Sequence, residues 1–216
     1  MQRIRASARI LAYETSLAGP PSIIYIVGNE AIMKASETTV VIFPGGSGNA
    51  NTPKLSLLSE IARRKGFKTE AIDSSQIPNP EDRIQLFLGS SLSKSRQLVL
   101  AGSSMGGYVA TVVADALDVD GLFLLAPVLY LEPYENLDPR PKSRRISVIH
   151  GTKDEVVPLE HSERFTERFG ADLHTVEDTH SLGEQADVIS AIFSEFLNEL
   201  IKPNQPLQRT ATSRRL

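Results

Sequence analysis

Apolar residues along this chain repeat with two different periods, and the places where the period changes divide it into elements. Thr38 to Phe43 is an unbroken β-branched and aromatic run, the pattern of a parallel strand covered on both faces. Ahead of it, Ser22 to Val27 and Ala31 to Lys34 flank Gly28-Asn29 and read as an antiparallel hairpin. The spacing is helical from Pro53 to Lys65, strand-like from Lys68 to Ile72, and helical again from Glu81 to Leu92. An apolar strand from Leu98 to Ala101 leads to a helix from Tyr108 to Leu117 and a strand from Gly121 to Ala126. After an irregular stretch from Pro127 to Arg145 come a strand (Ile146 to His150), a helix (Leu159 to Phe169), a strand (Asp172 to Val176) and a final helix (Glu184 to Ile201). This alternation predicts an α/β protein, a mostly parallel sheet with helices on both faces in a three-layer α-β-α sandwich. Ligands in such folds bind at the carboxyl ends of the strands.

With 216 residues, 41% of them hydrophobic, the chain can fill one core. One domain is expected over residues 21–201, with a lead-in over 1–20 that ends in Gly19-Pro20-Pro21 and a tail over 202–216 that has little to bury. Cysteine is absent, which excludes disulfides and thiolate zinc sites and fits a cytoplasmic address. The first ten residues are basic, but Ile10 to Ala12 is too brief for a signal-peptide core. No apolar run approaches the roughly 20 residues of a membrane span. The net charge of −3, with basic residues scattered, argues against a nucleic-acid surface.

Chemistry concentrates in Leu98-Val-Leu-Ala-Gly-Ser-Ser-Met-Gly-Gly107, where a strand runs through Gly-x-Ser-x-Gly into a helix. That is the pattern of a nucleophile elbow with Ser104 at its tip. A serine needs a base, and the base needs a group that fixes its tautomer. Four histidines are available. His150 ends a strand ahead of the candidate acid, His161 sits among Glu160, Glu163 and Arg164 and reads as solvated, and His174 alternates within a strand and reads as packed. His180 lies in the loop between the last strand and the last helix, at the sheet's carboxyl edge, and is the expected base. For the acid, Asp154 follows the Ile146 strand directly; Glu155 is its rival, helix capping is its other reading, and Asp178 is merely close to His180 in sequence. The oxyanion of a tetrahedral intermediate needs two donors. Met105 N–H is one, and Gly46, or alternatively Ser47, in Pro44-Gly-Gly-Ser-Gly48 is the other. A phosphate loop would require Gly-Lys-Ser/Thr, which is missing there, and Lys54 is out of register.

These residues resemble the α/β-hydrolase superfamily, whose chain order is nucleophile, acid, histidine. Gly102-Ser-Ser-Met-Gly-Gly-Tyr108 and His150-Gly-Thr-Lys-Asp154 are similar to motifs of small bacterial serine hydrolases with little or no lid. Pro44-Gly45 stands where the family usually has His-Gly, and Thr179 where a glycine often precedes the histidine. The resemblance implies hydrolysis of an ester or related acyl bond through an acyl-enzyme, without metal or cofactor, on a small-molecule substrate. Thioesters or other acyl bonds are the alternative targets, and a non-catalytic binding module is a further reading. Only Pro127 to Arg145 could form a cap, and it is long enough for a small flap. Arg140, Lys142, Arg144 and Arg145 within it read as a solvated loop rather than an anion site.

Overall fold

The computed structural model describes residues 33–201. The expected lead-in, the first hairpin strand and the tail lie outside those residues. Of the second hairpin strand only Met33 and Lys34 are described; they are not in a strand, and a 3₁₀ turn at Ala35–Glu37 follows them directly.

Six strands form one parallel sheet: β1 (Thr38–Phe43), β2 (Lys68–Ala71), β3 (Gln97–Ser103), β4 (Gly121–Leu125), β5 (Ile146–Gly151) and β6 (Asp172–Val176), in the order β2-β1-β3-β4-β5-β6. Among the described residues five α-helices connect or follow them: α1 (Pro53–Arg64), α2 (Pro80–Gly89), α3 (Met105–Ala116), α4 (Leu159–Phe169) and α5 (Ala186–Ile201). Side chains alternate across a strand, and the central strands use both faces. Val41, Leu100, Leu124 and Val148 point into a core closed by α2, α3 and α4. Val40, Val99, Phe123 and Ile149 point into a second core closed by α1 and α5. In that second layer Phe123 meets Phe193 and Phe196 with ring centroids 4.7 and 5.3 Å apart. Burying a side chain of this size contributes about 1.5–3 kcal/mol. The expected three-layer sandwich is therefore the observed one.

Boundaries match the hydrophobic pattern to within two residues except at α2 and α3. The pattern carries α2 to Leu92, yet it stops at Gly89, where Ser90 turns its hydroxyl onto Phe87 O at 2.7 Å. Serine competes with the helix for its own carbonyls, and Gly89-Ser90-Ser91 offers little helical preference to resist it. Helix α3 starts at Met105, three residues before Tyr108, where the helical apolar pattern begins, because the elbow itself sets its first turn.

Strand order positions the site. From β1 the chain goes outward to β2, then returns past β1 to β3, so α1 and α3 leave neighbouring strands toward opposite faces. A crevice opens at the carboxyl ends of β1 and β3, where the topology switches direction.

Candidate active site

Ser104 stands at that crevice. It precedes α3 with φ 55° and ψ −122°, a region that costs a non-glycine residue roughly 1–3 kcal/mol. Main-chain bonds hold it there: its N–H donates to Leu125 O at 2.9 Å, and its carbonyl accepts from Gly107 at 2.9 Å and Val128 at 3.2 Å. The flanking glycines are needed for close approach. A Cβ on Gly102 would lie 2.2 Å from Gly106 O, and one on Gly106 would lie 2.1 Å from Phe43 O.

Asp154 follows β5 and His180 follows β6, and their loops are joined by main-chain bonds from Thr152 N–H to Val176 O (2.8 Å) and from Lys153 N–H to Asp178 O (2.9 Å). His180 Nδ1 is 2.7 Å from Asp154 Oδ2, and its Nε2 is 2.8 Å from Ser104 Oγ. The structure thus brings the expected nucleophile, acid and base within hydrogen-bonding reach of one another. Asp154 Oδ1 accepts from the N–H groups of Val156 at 2.8 Å and Val157 at 2.9 Å. Its side chain is 1% exposed, against 21% for His180. Burial pushes the Asp154 carboxyl upward, but the Val157 N–H, His180 and the Val156 N–H outweigh it and hold the group below its ordinary value.

The rival residues go elsewhere. Glu155 is exposed, and Asp154 does not cap α4, which begins at Leu159 after Pro158. Asp178 accepts from Thr179 N–H at 2.7 Å and Glu184 N–H at 3.1 Å, so it shapes the His180 loop instead of touching its ring. His174 is half-buried on the edge strand β6. His161 is not the solvated residue its charged neighbours imply. Its Nδ1 is buried without a hydrogen-bond partner among the described residues, and its ring meets Tyr130 edge-on at 6.0 Å.

Two residues have roles the sequence did not reveal. His150 is fully buried, with Nδ1 2.7 Å from Ser162 Oγ and Nε2 3.1 Å from both Val157 O and Asp154 Oδ2. A carbonyl can only accept, so Nε2 carries the proton and Asp154 Oδ2 receives a second N–H beside that of His180. Burial lowers the His150 pKa against the opposing pull of Val157 O and Asp154, which keeps the ring neutral. Arg83, on α2 and 4% exposed, binds the Pro44–Gly46 carbonyls. Its sequence signal is a charged residue directly before Ile84 and four before Phe87, on the face that those two residues turn into the core.

The glycine-rich loop lies against the elbow, so that a Cβ on Gly45 would come 3.5 Å from Ser104 Cβ. Among the described residues no main-chain acceptor takes the N–H of Met105, Gly46 or Ser47. Two cavities open beside the elbow, one reaching Ser103 and the other Met105. One of about 570 Å³ is bounded by Gly45, Ser47, Leu57, Leu182 and Ile189, with Lys54 in its wall. Lys54 Nζ donates to Ser181 O at 2.8 Å, and burial lowers its pKa against the pull of Asp178 and Asp154. The other, of about 540 Å³, runs past Met105 between Asn79, Glu81, Tyr134 and Glu135. The stretch after β4 is fastened down: Val128 and Leu129 are buried, Tyr134 packs on Tyr108 at 4.6 Å, and the Tyr108 hydroxyl donates to Glu81 at 2.7 Å. Arg140, Arg144 and Arg145 pair with Asp138, Asp120, Asp172 and Glu199. Their charges are thus taken up by the chain's own carboxylates. Among the described residues no three His, Cys, Asp or Glu side chains gather as a metal site, and no helix is long and apolar enough to cross a membrane.

No protein-family model matches the chain, and no curated protein matches its sequence. Solved structures do. A Xanthomonas campestris pv. campestris protein of the α/β-hydrolase superfamily superposes with TM-score 0.69 at 28% identity, over 76% of this chain and 99% of the other. A lidless serine hydrolase of Xanthomonas campestris gives TM-score 0.61 at 16% identity, over 90% of this chain and 97% of the other. The esterase Pf2001 of Pyrococcus furiosus gives TM-score 0.62 at 15% identity, over 77% of this chain and 84% of the other. The chain has the fold of the α/β-hydrolase superfamily. Its structural neighbours include hydrolases and esterases of that superfamily.

Proposed function

We propose that the protein is a serine hydrolase of the carboxylesterase type, with Ser104 as nucleophile, His180 as base and Asp154 as the residue that orients it. The observation that carries this reading is the unbroken relay Ser104 Oγ to His180 Nε2 (2.8 Å) and His180 Nδ1 to Asp154 Oδ2 (2.7 Å), at the carboxyl ends of three different strands. In this mechanism Ser104 attacks the acyl carbonyl as His180 takes the hydroxyl proton, and the negative Asp154 stabilises the imidazolium. The carbonyl oxygen becomes an oxyanion beside Met105 N–H and the Gly46 or Ser47 N–H. His180 then protonates the leaving alcohol, and a water molecule repeats the two steps to release the acid and restore Ser104.

An ester suits the site because the leaving alkoxide takes up the His180 proton directly and the flanking cavities accept small groups on both sides. The reaction needs no cofactor. The test is hydrolysis of a short p-nitrophenyl ester by the full chain, together with fluorophosphonate labelling. Ester turnover and an adduct at Ser104, both abolished in a folded Ser104→Ala variant, are expected. A Ser104→Ala variant with full activity refutes the assignment. A panel of esters, thioesters and amides of graded acyl length then identifies the bond by kcat/KM.

A further inference from the structure

We propose that Arg83 is a positioning residue for the oxyanion hole, an inference that rests on Ser104 being the nucleophile. Its guanidinium lies under the glycine-rich loop and donates to successive carbonyls: Nη1 to Gly45 O at 2.8 Å and to Pro44 O at 3.4 Å, and Nη2 to Gly46 O at 3.0 Å. Nε donates to Ile77 O at 2.6 Å, which fixes the fork from behind. Ile77 lies in the connection that leads into α2, so the arginine ties the loop after β1 to the start of that helix.

The geometry of the peptide unit turns these contacts into a statement about catalysis. In a trans peptide the C=O and the next N–H lie in one plane and point in opposite directions. The peptide bonds of this loop are trans, the Glu132–Pro133 bond being the cis one among the described residues. Holding Gly45 O on the guanidinium therefore aims Gly46 N–H away from it, and holding Gly46 O does the same for Ser47 N–H. One side chain thus grips the carbonyls behind both candidate second donors. Glycine at 45 and 46 leaves the loop free to take other conformations; a turn bond from Gly48 N–H to Gly45 O at 2.9 Å steadies it from within, and Arg83 grips both carbonyls from outside, adding to the preorganisation that an oxyanion hole needs.

Charge points the same way. A buried cation is normally paired with an anion, yet among the described residues no carboxylate forms an ion pair with Arg83; its partners are four carbonyl oxygens. The positive end of the array is therefore uncompensated until negative charge develops at the N–H side of the loop. An arginine suits this task better than a lysine, because its planar fork grips two adjacent carbonyls at fixed spacing.

The experiment compares wild type, Arg83→Met, Arg83→Lys and Ser104→Ala on a short p-nitrophenyl ester, with phenylboronic acid as a tetrahedral-anion probe and thermal melting as the fold control. Loss of one oxyanion donor lowers kcat by about 10²–10³-fold, and Arg83→Met is expected to lose on the order of 10²-fold in kcat with KM within about threefold. The boronate inhibition constant should weaken in parallel with kcat/KM, and Arg83→Lys should recover part of both. If Arg83→Met does not fold, Arg83→Lys alone must show a fall in kcat with a matching loss of boronate affinity. Folded variants that keep kcat within threefold overturn the proposal, and so does a loss confined to KM or one that leaves boronate affinity unchanged. Failure of the nucleophile assignment would register separately, as activity surviving in Ser104→Ala.

Discussion

Replacing Asp154 by asparagine changes one atom of the site and should remove almost all of its activity. Asp154 Oδ1 accepts two main-chain N–H groups, from Val156 at 2.8 Å and Val157 at 2.9 Å. An asparagine must keep its carbonyl oxygen there, since a flipped amide would set NH₂ against two donors. The amide nitrogen then occupies the place of Oδ2, 2.7 Å from His180 Nδ1, and donates to it. His180 is forced to carry its proton on Nε2, the atom that faces Ser104 Oγ at 2.8 Å and should receive the serine proton. In a serine protease the equivalent change lowers kcat about 10⁴-fold. Here a fall of roughly 10³–10⁴ in kcat/KM is expected, about 4–5.5 kcal/mol of transition-state stabilisation. The fold should survive, because Ser162 Oγ can accept as well as donate and so lets His150 exchange its tautomer; the residual clash of a bare Nε2 with Val157 O costs about 1–2 kcal/mol. A p-nitrophenyl ester assay, with melting to confirm the fold, measures both. Activity within tenfold of wild type in a folded Asp154→Asn protein would refute the reasoning.

Three further outcomes follow from the same geometry. Ser104→Gly and Ser104→Ala both lose the hydroxyl, but only glycine relaxes at φ 55°; Ser104→Gly should be the more stable by about 1 kcal/mol, some 2–4 °C in Tm, and equal melting would show that the elbow is unstrained. Gly106→Ala puts a methyl group 2.1 Å from Phe43 O and 2.5 Å from Pro44 O, so it should shift the oxyanion loop and lower both Tm and kcat, whereas wild-type values for both would count against the packing argument. His150 has a folded pKa below its ordinary 6.5. Its neutral form therefore contributes stability that is present above pH 6.5 and is lost as the pH falls through the folded value, with a slope of at most about 1.36 kcal/mol per pH unit. His150→Gln should flatten the dependence of urea-denaturation stability on pH below 6.5, and an unchanged slope would assign that titration to another group.

Much of this fold could be read from local pattern. Runs such as Thr38 to Phe43 and Gly121 to Leu125 are continuous because α helices cover them on both faces, and α4 and β6 match their expected bounds at Leu159–Phe169 and Asp172–Val176. The elbow was legible because its chemistry is local: a hydroxyl between two glycines at a strand-to-helix junction. Asp154 and His180 were legible because each follows a strand at the edge where sites form. Arg83 and His150 were not. A buried arginine with three of its four carbonyl partners 37 to 39 residues away leaves no local trace beyond its place on an apolar helix face. His150 precedes the acid in the chain, which argues against it as the base, and its contact with Asp154 depends on the loop folding back onto the strand it left. The strand order belongs in the same group, since nothing in β1 itself records that β3 rather than a later strand becomes its neighbour.

The two hollows beside Ser104 share no wall residue: one is built from the stretch leading into α1 and from residues 181–189, the other from the approach to α2 and the stretch after β4. Substitutions at sites that share no partners tend to add in free energy. If the two hollows take the two sides of the bond in the proposed reaction, a change at Leu57 or Ile189 and a change at Tyr134 or Glu135 should multiply in their effects on kcat/KM. With Ser104 as the proposed nucleophile, one reaction centre would stand between two separately adjustable halves, a two-dimensional range of substrates for a single chemistry.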